Sequence, residues 1–201
     1  MSINLVKGQK IDLTKGAAGL SKIMVGLGWD PVAQKSGGLL GGLFGGGTPD
    51  IDCDASAILL DANNKLTNKS NLIYFGNLKS PNNSVIHQGD NLTGDGDGDD
   101  EQIMLDLSAI AGDVQKVVFV VNIYDCVKRR QDFGMIQNAF IRVVDMGKNS
   151  ELCKFNLTDD YAGKTSLLVG EIYRNGSEWK FGAVGQGTND GSLSDIIKAY
   201  R

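Results

Sequence analysis

The stretch Ser166-Leu-Leu-Val-Gly-Glu-Ile-Tyr-Arg-Asn-Gly-Ser-Glu-Trp-Lys-Phe-Gly-Ala-Val184 reads as two strands folded about a turn. Residues 166–174 and 177–184 flank Asn175-Gly176, a pair suited to a type I′ turn because both central positions of that turn need positive φ. In the second arm Trp179 and Phe181 alternate with Lys180 and Gly182, the period of a strand with one face buried.

The same period recurs outward from this hairpin. In residues 21–29, Ile23, Val25, Leu27 and Trp29 share one face, opposite Lys22, Met24, Gly26 and Gly28. Residues 139–145 alternate around Arg142, and in residues 151–157 Cys153, Phe155 and Leu157 oppose Lys154 and Asn156. Residues 72–75 and 117–124 are apolar nearly throughout, which predicts central strands covered on both faces. Helical spacing appears near the C-terminus. There Ser192 is placed to cap, Asp195 completes a weak capping box, and Leu193, Ile196, Ile197 and Tyr200 form one apolar stripe. Roughly nine or ten short strands with few helices predict an all-β chain, a β-sandwich of two sheets with a short C-terminal helix. A closed barrel is the competing architecture.

Residues 36–49, SGGLLGGLFGGGTP, break the pattern. They predict a flexible insertion between two strands, within one domain spanning residues 1–201. Leu39, Leu40, Leu43 and Phe44 give the insertion a second reading, as an apolar loop that touches a partner or a membrane surface.

Charge narrows the function classes. The chain has 201 residues, 41% apolar and 22% charged, which is ordinary globular composition. Its net charge of −4 is unevenly placed. Asp90, Asp95, Asp97, Asp99, Asp100 and Glu101 fall within twelve residues with no base among them, and the remaining 18 acids face 20 bases. A body so nearly neutral excludes general nucleic-acid binding, which needs a basic face. It favours a cationic partner. Cys53, Cys126 and Cys153 form no CxxC or Cys/His pair, so neither zinc nor a redox dithiol is indicated. Cys126 and Cys153 border apolar runs and are predicted to be buried thiols. The first residues lack a signal-peptide core, and nothing approaches the ~20 apolar residues of a membrane span. The expected compartment is the cytoplasm.

The acidic segment, Gly89-Asp-Asn-Leu-Thr-Gly-Asp-Gly-Asp-Gly-Asp-Asp-Glu101, has the chemistry of a calcium loop. Calcium takes six to eight oxygens from carboxylates, carbonyls, amides and water. Alternating Asp with Gly lets the backbone fold tightly, so that the side chains of Asp95, Asp97 and Asp99 converge. Without a cation the carboxylates would repel one another well inside a Debye length of ~8–10 Å. Magnesium suits the segment less, because it keeps several waters. An EF-hand is rejected. Asp95, Asp97 and Asp99 match its first ligand positions and Asp106 its twelfth, but Asp100 stands where the sixth must be Gly, and residues 103–107 read as a strand. The plain alternative is a solvated acidic loop.

Several blocks together resemble the TerD family: Gly26-Leu-Gly-Trp-Asp30, Asp52-Cys-Asp-Ala-Ser56, Gly76-Asn-Leu-Lys-Ser80, the segment Gly89 to Glu101, Val121-Asn-Ile-Tyr-Asp125, Asn138-Ala-Phe-Ile-Arg-Val-Val-Asp145 and Gly185-Gln-Gly187. The resemblance runs from about residue 3 to the C-terminus. It implies a two-sheet sandwich, two calcium ions at one edge, and a role in tellurite resistance or stress response. It also implies Asp90, Asn91, Asp95, Asp97, Asp99, Asp100 and Glu101 as ligands, with Asp30 closing the site from a second loop. Asp52 and Asp54 are second-tier candidates. The insertion at 36–49 departs from the family's pattern.

An enzyme would need an activated nucleophile or an acid–base pair, and the one histidine, His87, leaves no Ser–His or Cys–His set. The expectation is therefore a non-enzymatic calcium-binding stress protein. A calcium-dependent adapter, docking to other stress-system proteins or to the inner membrane surface, is the alternative. A metal-dependent hydrolase is a lesser one.

Overall fold

Two six-stranded sheets face each other across an apolar core. The computed structural model describes residues 2–15, 19–31, 51–89, 98–157 and 159–201. In the first sheet the order is β1 (Ile3–Leu5), β10 (Ser150–Asn156), β9 (Ile136–Asp145), β3 (Lys22–Pro31), β7 (Glu101–Asp106) and β6 (Val85–His87). In the second it is β2 (Lys10–Asp12), β12 (Glu178–Thr188), β11 (Ser166–Asn175), β8 (Lys116–Ile123), β4 (Cys53–Leu60) and β5 (Leu72–Ile73). Neighbours are antiparallel except β1 and β10. This is the expected sandwich. The strands outnumber the nine or ten read from the sequence because β1, β2, β5 and β6 are two- or three-residue edge pieces, too short for a period to register.

Alternation decides what enters the core. Ile23, Val25, Leu27 and Trp29 of β3, Ile103 and Leu105 of β7, and Ile141 and Val143 of β9 point inward. They meet Ala55, Ala57 and Leu59 of β4, Val117, Phe119 and Val121 of β8, and Phe181 of β12. Strand β8 is central and buried on both faces, as its apolar run predicts. Its outward Val118 and Val120, with Ile58 and Leu60 of β4, form a second cluster. Helix α2 (Leu193–Ile196) and the 3-10 turn Ile197–Tyr200 lay Ile196 and Ile197 over them. Fully burying such a side chain contributes ~1.5–3 kcal/mol. Ser192 caps this helix: its Oγ accepts from the Asp195 amide at 3.2 Å and donates to Asp195 Oδ2 at 2.7 Å. A further single-turn helix, α1 (Cys126–Arg129), follows β8.

Two sequence readings are corrected. Residues 72–75 are not a central strand. Leu72 and Ile73 pair at the edge of the second sheet, Tyr74 only bridges locally to Asn77, and Phe75 is 44% exposed. An apolar run reports low polarity, which an aromatic rim and a buried strand share. The hairpin turn sits one residue later than read. Asn175 pairs with Glu178, so Gly176 and Ser177 form the loop, and of these Gly176 alone has positive φ (65°). That is the requirement of a type II′ turn, with Gly at its first central position, rather than type I′. The glycine-rich 36–49 insertion lies outside the described residues.

Candidate metal centre

The acidic segment enters and leaves between β6 and β7, at one end of the sandwich. Asp90, Asn91, Asp95 and Asp97 lie outside the described residues; Asp30, Asp99, Asp100 and Glu101 lie within them. The entering side is fixed where the Gln88 amide donates to Gln102 O at 2.9 Å and the Gly89 amide to His87 Nδ1 at 3.2 Å.

The leaving side is fixed by three consecutive carboxylates aimed in different directions. Asp99 lies across the outer face of β3, over Gly26, and forms a two-pronged pair with Arg142 of β9: Nε to Oδ1 at 2.7 Å and Nη2 to Oδ2 at 2.9 Å. Its side chain is fully buried, and Gln102 Nε2 adds a bond at 3.2 Å. The hydrogen bonds that Arg142 donates to Asp99, more than any other influence, raise the Arg142 pKa above its ordinary value. The glycines of the Gly26-Leu-Gly-Trp-Asp30 block explain the close approach. A Cβ on Gly26 would fall less than 3.0 Å from the Asp99 carboxyl, and one on Gly28 would lie 2.7 Å from Gly98 O.

Asp100 works at the backbone of β3. Its amide donates to Leu27 O at 2.9 Å, and its Oδ2 accepts from the Trp29 amide at 2.7 Å, where the pairing of β3 with β9 shifts register. Glu101 turns inward and is 2% exposed. Its Oε2 accepts from the Ala55 amide at 2.6 Å, and His87 Nε2 lies 3.2 Å from both that oxygen and Ala55 O. Two side chains of the first sheet thus occupy the edge groups of β4 in the second, stitching the sheets together at this end. His87 accepts from Gly89 at Nδ1, so its proton sits on Nε2.

Asp30, next to Trp29, accepts from Asn138 Nδ2 at 2.8 Å through Oδ2. Asp52 lies 3.8 Å from Arg129 Nη1, and Asp54 faces outward on β4. Four carboxylates gather near Cys53: after burial, those of Asp54, Asp52, Glu101 and Asp100 push its thiol well above its ordinary pKa. All three cysteines are buried and free, as read for Cys126 and Cys153. Among the described residues no three His, Cys, Asp or Glu side chains form a group that could hold a metal ion. Asp106, the EF-hand's last position, is elsewhere: its Oδ1 accepts from Ser108 Oγ at 2.6 Å and from the Ser108 and Ala109 amides, tying the turn after β7. Sequence reading missed Arg142 as an anchor. A lone arginine in the otherwise apolar run 139–144 was the available signal.

The chain as a whole matches a known domain. The TerD domain matches residues 1–200. The chain belongs to the TerD family. It is 67% identical over 200 residues to the stress response protein SCP2 of Bacillus subtilis strain 168, with both chains covered completely. It is 44% identical to the tellurium resistance protein TerD of an Alcaligenes species, covering 100% of this chain and 97% of that one. A crystal structure of SAV2460, a protein of unknown function, superposes with a TM-score of 0.70 at 23% identity, covering 91% of this chain and 99% of that one. A TerD homologue of Streptomyces coelicolor A3(2) superposes at 0.65 with 21% identity, covering 88% and 98%. The family is one of tellurium-resistance and stress-response proteins. Among the described residues no helix is long and apolar enough to cross a membrane.

Proposed function

We propose that this TerD-family protein is a non-enzymatic calcium-binding protein of the stress response that holds calcium, two ions by family resemblance, through residues 90–101. The observation that carries the reading is the anchoring of both ends of an acidic Asp/Gly segment between β6 and β7. Hard oxygen donors alone are offered there, which suits calcium and not a thiophilic metal. Asp90, Asn91, Asp95 and Asp97 would supply most ligands, Asp30 of β3 and Asp100 just before β7 would add to them, and Asp99 and Glu101 first of all fix the leaving strand. A bound calcium would neutralise the clustered carboxylates and draw the two ends together. The absence of catalysis is supported by His87, which is 2% exposed with both ring nitrogens engaged inside the sandwich. The three buried free thiols fit a reducing cytoplasm.

The test is calorimetric titration of demetallated protein with calcium. Asp97→Asn keeps size and one oxygen but removes a charge, and should weaken binding at least about tenfold, ~1.4 kcal/mol. Binding to the folded state alone should raise the melting temperature, by analogy with ~2.7 kcal/mol at a hundredfold excess over Kd. A melting temperature unmoved by calcium or chelator, or an unchanged affinity in Asp97→Asn, would overturn the reading. Turnover of phosphoesters with magnesium or manganese would replace it with the hydrolase.

A further inference from the structure

Arg142, Gly26 and Gln102 stand in one row across the first sheet. Gly26 of β3 is in register with Arg142 of β9 on one side and with Gln102 of β7 on the other. Ile141 and Ile103 point into the core, so their neighbours Arg142 and Gln102 face outward. The middle of the row has no side chain, and the Asp99 carboxyl lies in that gap, where a Cβ on Gly26 would collide with it.

The gap is built to receive one carboxylate. Arg142 closes one flank, Nε to Oδ1 at 2.7 Å and Nη2 to Oδ2 at 2.9 Å, and Gln102 Nε2 closes the other at 3.2 Å from Oδ2. An ionised carboxylate accepts at about four lone-pair sites. These donors take three, and the side chain has no exposed surface left. The pair is charge-assisted and two-pronged, the strong geometry for an arginine and a carboxylate. A cation reaches Asp99 only by displacing the guanidinium. Arg142 is itself braced: its Nη1 lies 3.4 Å from Glu151 Oε2, and Ser2 Oγ donates to Glu151 Oε1 at 2.5 Å. The next residue along the segment carries the backbone contacts with β3. Asp100 donates its amide to Leu27 O at 2.9 Å and accepts from the Trp29 amide at 2.7 Å.

We infer that Arg142 is a positioning residue for the acidic segment: it holds Asp99 in the gap over Gly26, orders the segment's leaving end, and makes Asp99 a latch rather than a calcium ligand. The effect on affinity rests on the calcium reading above, whereas the latch rests on the described residues alone. Groups that orient the ligands of a metal typically contribute about 10–100-fold to its affinity. Charge and position act here in opposite directions. Arg142 is a positive charge beside an acidic segment, so by Coulomb's law alone its removal would tighten calcium binding. A positioning role weakens it instead.

Calorimetric titration of calcium into the demetallated full chain compares the parent with Arg142→Met, Arg142→Lys, Asp99→Asn and the double variant Arg142→Met/Asp99→Asn. Each single variant should bind about tenfold more weakly. The double variant should lose no more than either single one, because the two residues act as a unit. Lysine should fail to rescue, since it keeps the charge but lacks the fork. Amide hydrogen exchange in chelator reads the latch without metal. The Trp29 and Asp100 amides should exchange faster in Arg142→Met, while the Phe119 amide in central β8 keeps its protection. Unchanged or tighter calcium binding in Arg142→Met, parent affinity in Arg142→Lys, or additive losses in the double variant would overturn the inference. So would unchanged exchange at Trp29 and Asp100, or an equal loss of protection at Phe119, which would make the role one of general stability. A parent that binds no calcium overturns the calcium reading instead, and the exchange result then decides the latch by itself.

Discussion

Gly26→Ala tests whether the acidic segment is held by a close fit over β3. The added methyl would lie less than 3.0 Å from all three atoms of the Asp99 carboxyl. Asp99 cannot yield freely, because both oxygens are engaged by Arg142 at 2.7 and 2.9 Å. Overpacking of this kind costs about 1–3 kcal/mol. Breaking a charge-assisted pair adds up to about 1.5–3 kcal/mol, reduced here because the Arg142 side chain is 31% exposed. Replacing a strand glycine returns ~0.5–1 kcal/mol. The net expectation is a loss of about 1.5–3 kcal/mol, a fall in melting temperature of roughly 4–10 °C for a chain of this size. Urea denaturation in chelator measures it without metal linkage. The decisive control is the same substitution in an Asp99→Ala background, where the methyl meets no carboxyl. There the cost should shrink to within ~0.5 kcal/mol, giving a coupling well above the error of additivity. An equal cost in both backgrounds, or none in the parent, refutes the argument.

Asp106→Asn should leave calcium affinity intact, as a calcium titration will show, because Asp106 serves the turn after β7. The Ser108 hydroxyl first, then the backbone amides, hold its carboxyl below the usual range despite some opposing desolvation. A depressed folded pKa contributes stability that is present above the unfolded value near ~4 and lost as pH falls through the folded one, so the Asn variant should show a shallower acid limb in pH-dependent denaturation. The three cysteines should resist a thiol reagent in the folded protein and all react in urea, since burial pushes Cys153 up to about 12 and also raises Cys53 and Cys126. Rapid native labelling would contradict the buried assignment.

The sequence by itself determined the all-β class and the inward face of strands such as β3, β10 and β12. Period-two runs such as Ile23-Val25-Leu27-Trp29 carry that information locally, and burial of the whole inward set leaves one register free of polar groups. It also determined the cap of α2 by Ser192, because a cap depends on neighbours within a few residues. The tertiary structure alone decided which acids share a place. Asp99, Asp100 and Glu101 are consecutive, yet one reaches Arg142 on β9, one the backbone of β3, and one Ala55 in the opposite sheet. Those partners lie 43, 71 and 46 residues away in the chain, beyond the reach of any local pattern. Long-range pairing is set by the collective burial of two sheets, a property of the folded chain and of no single segment.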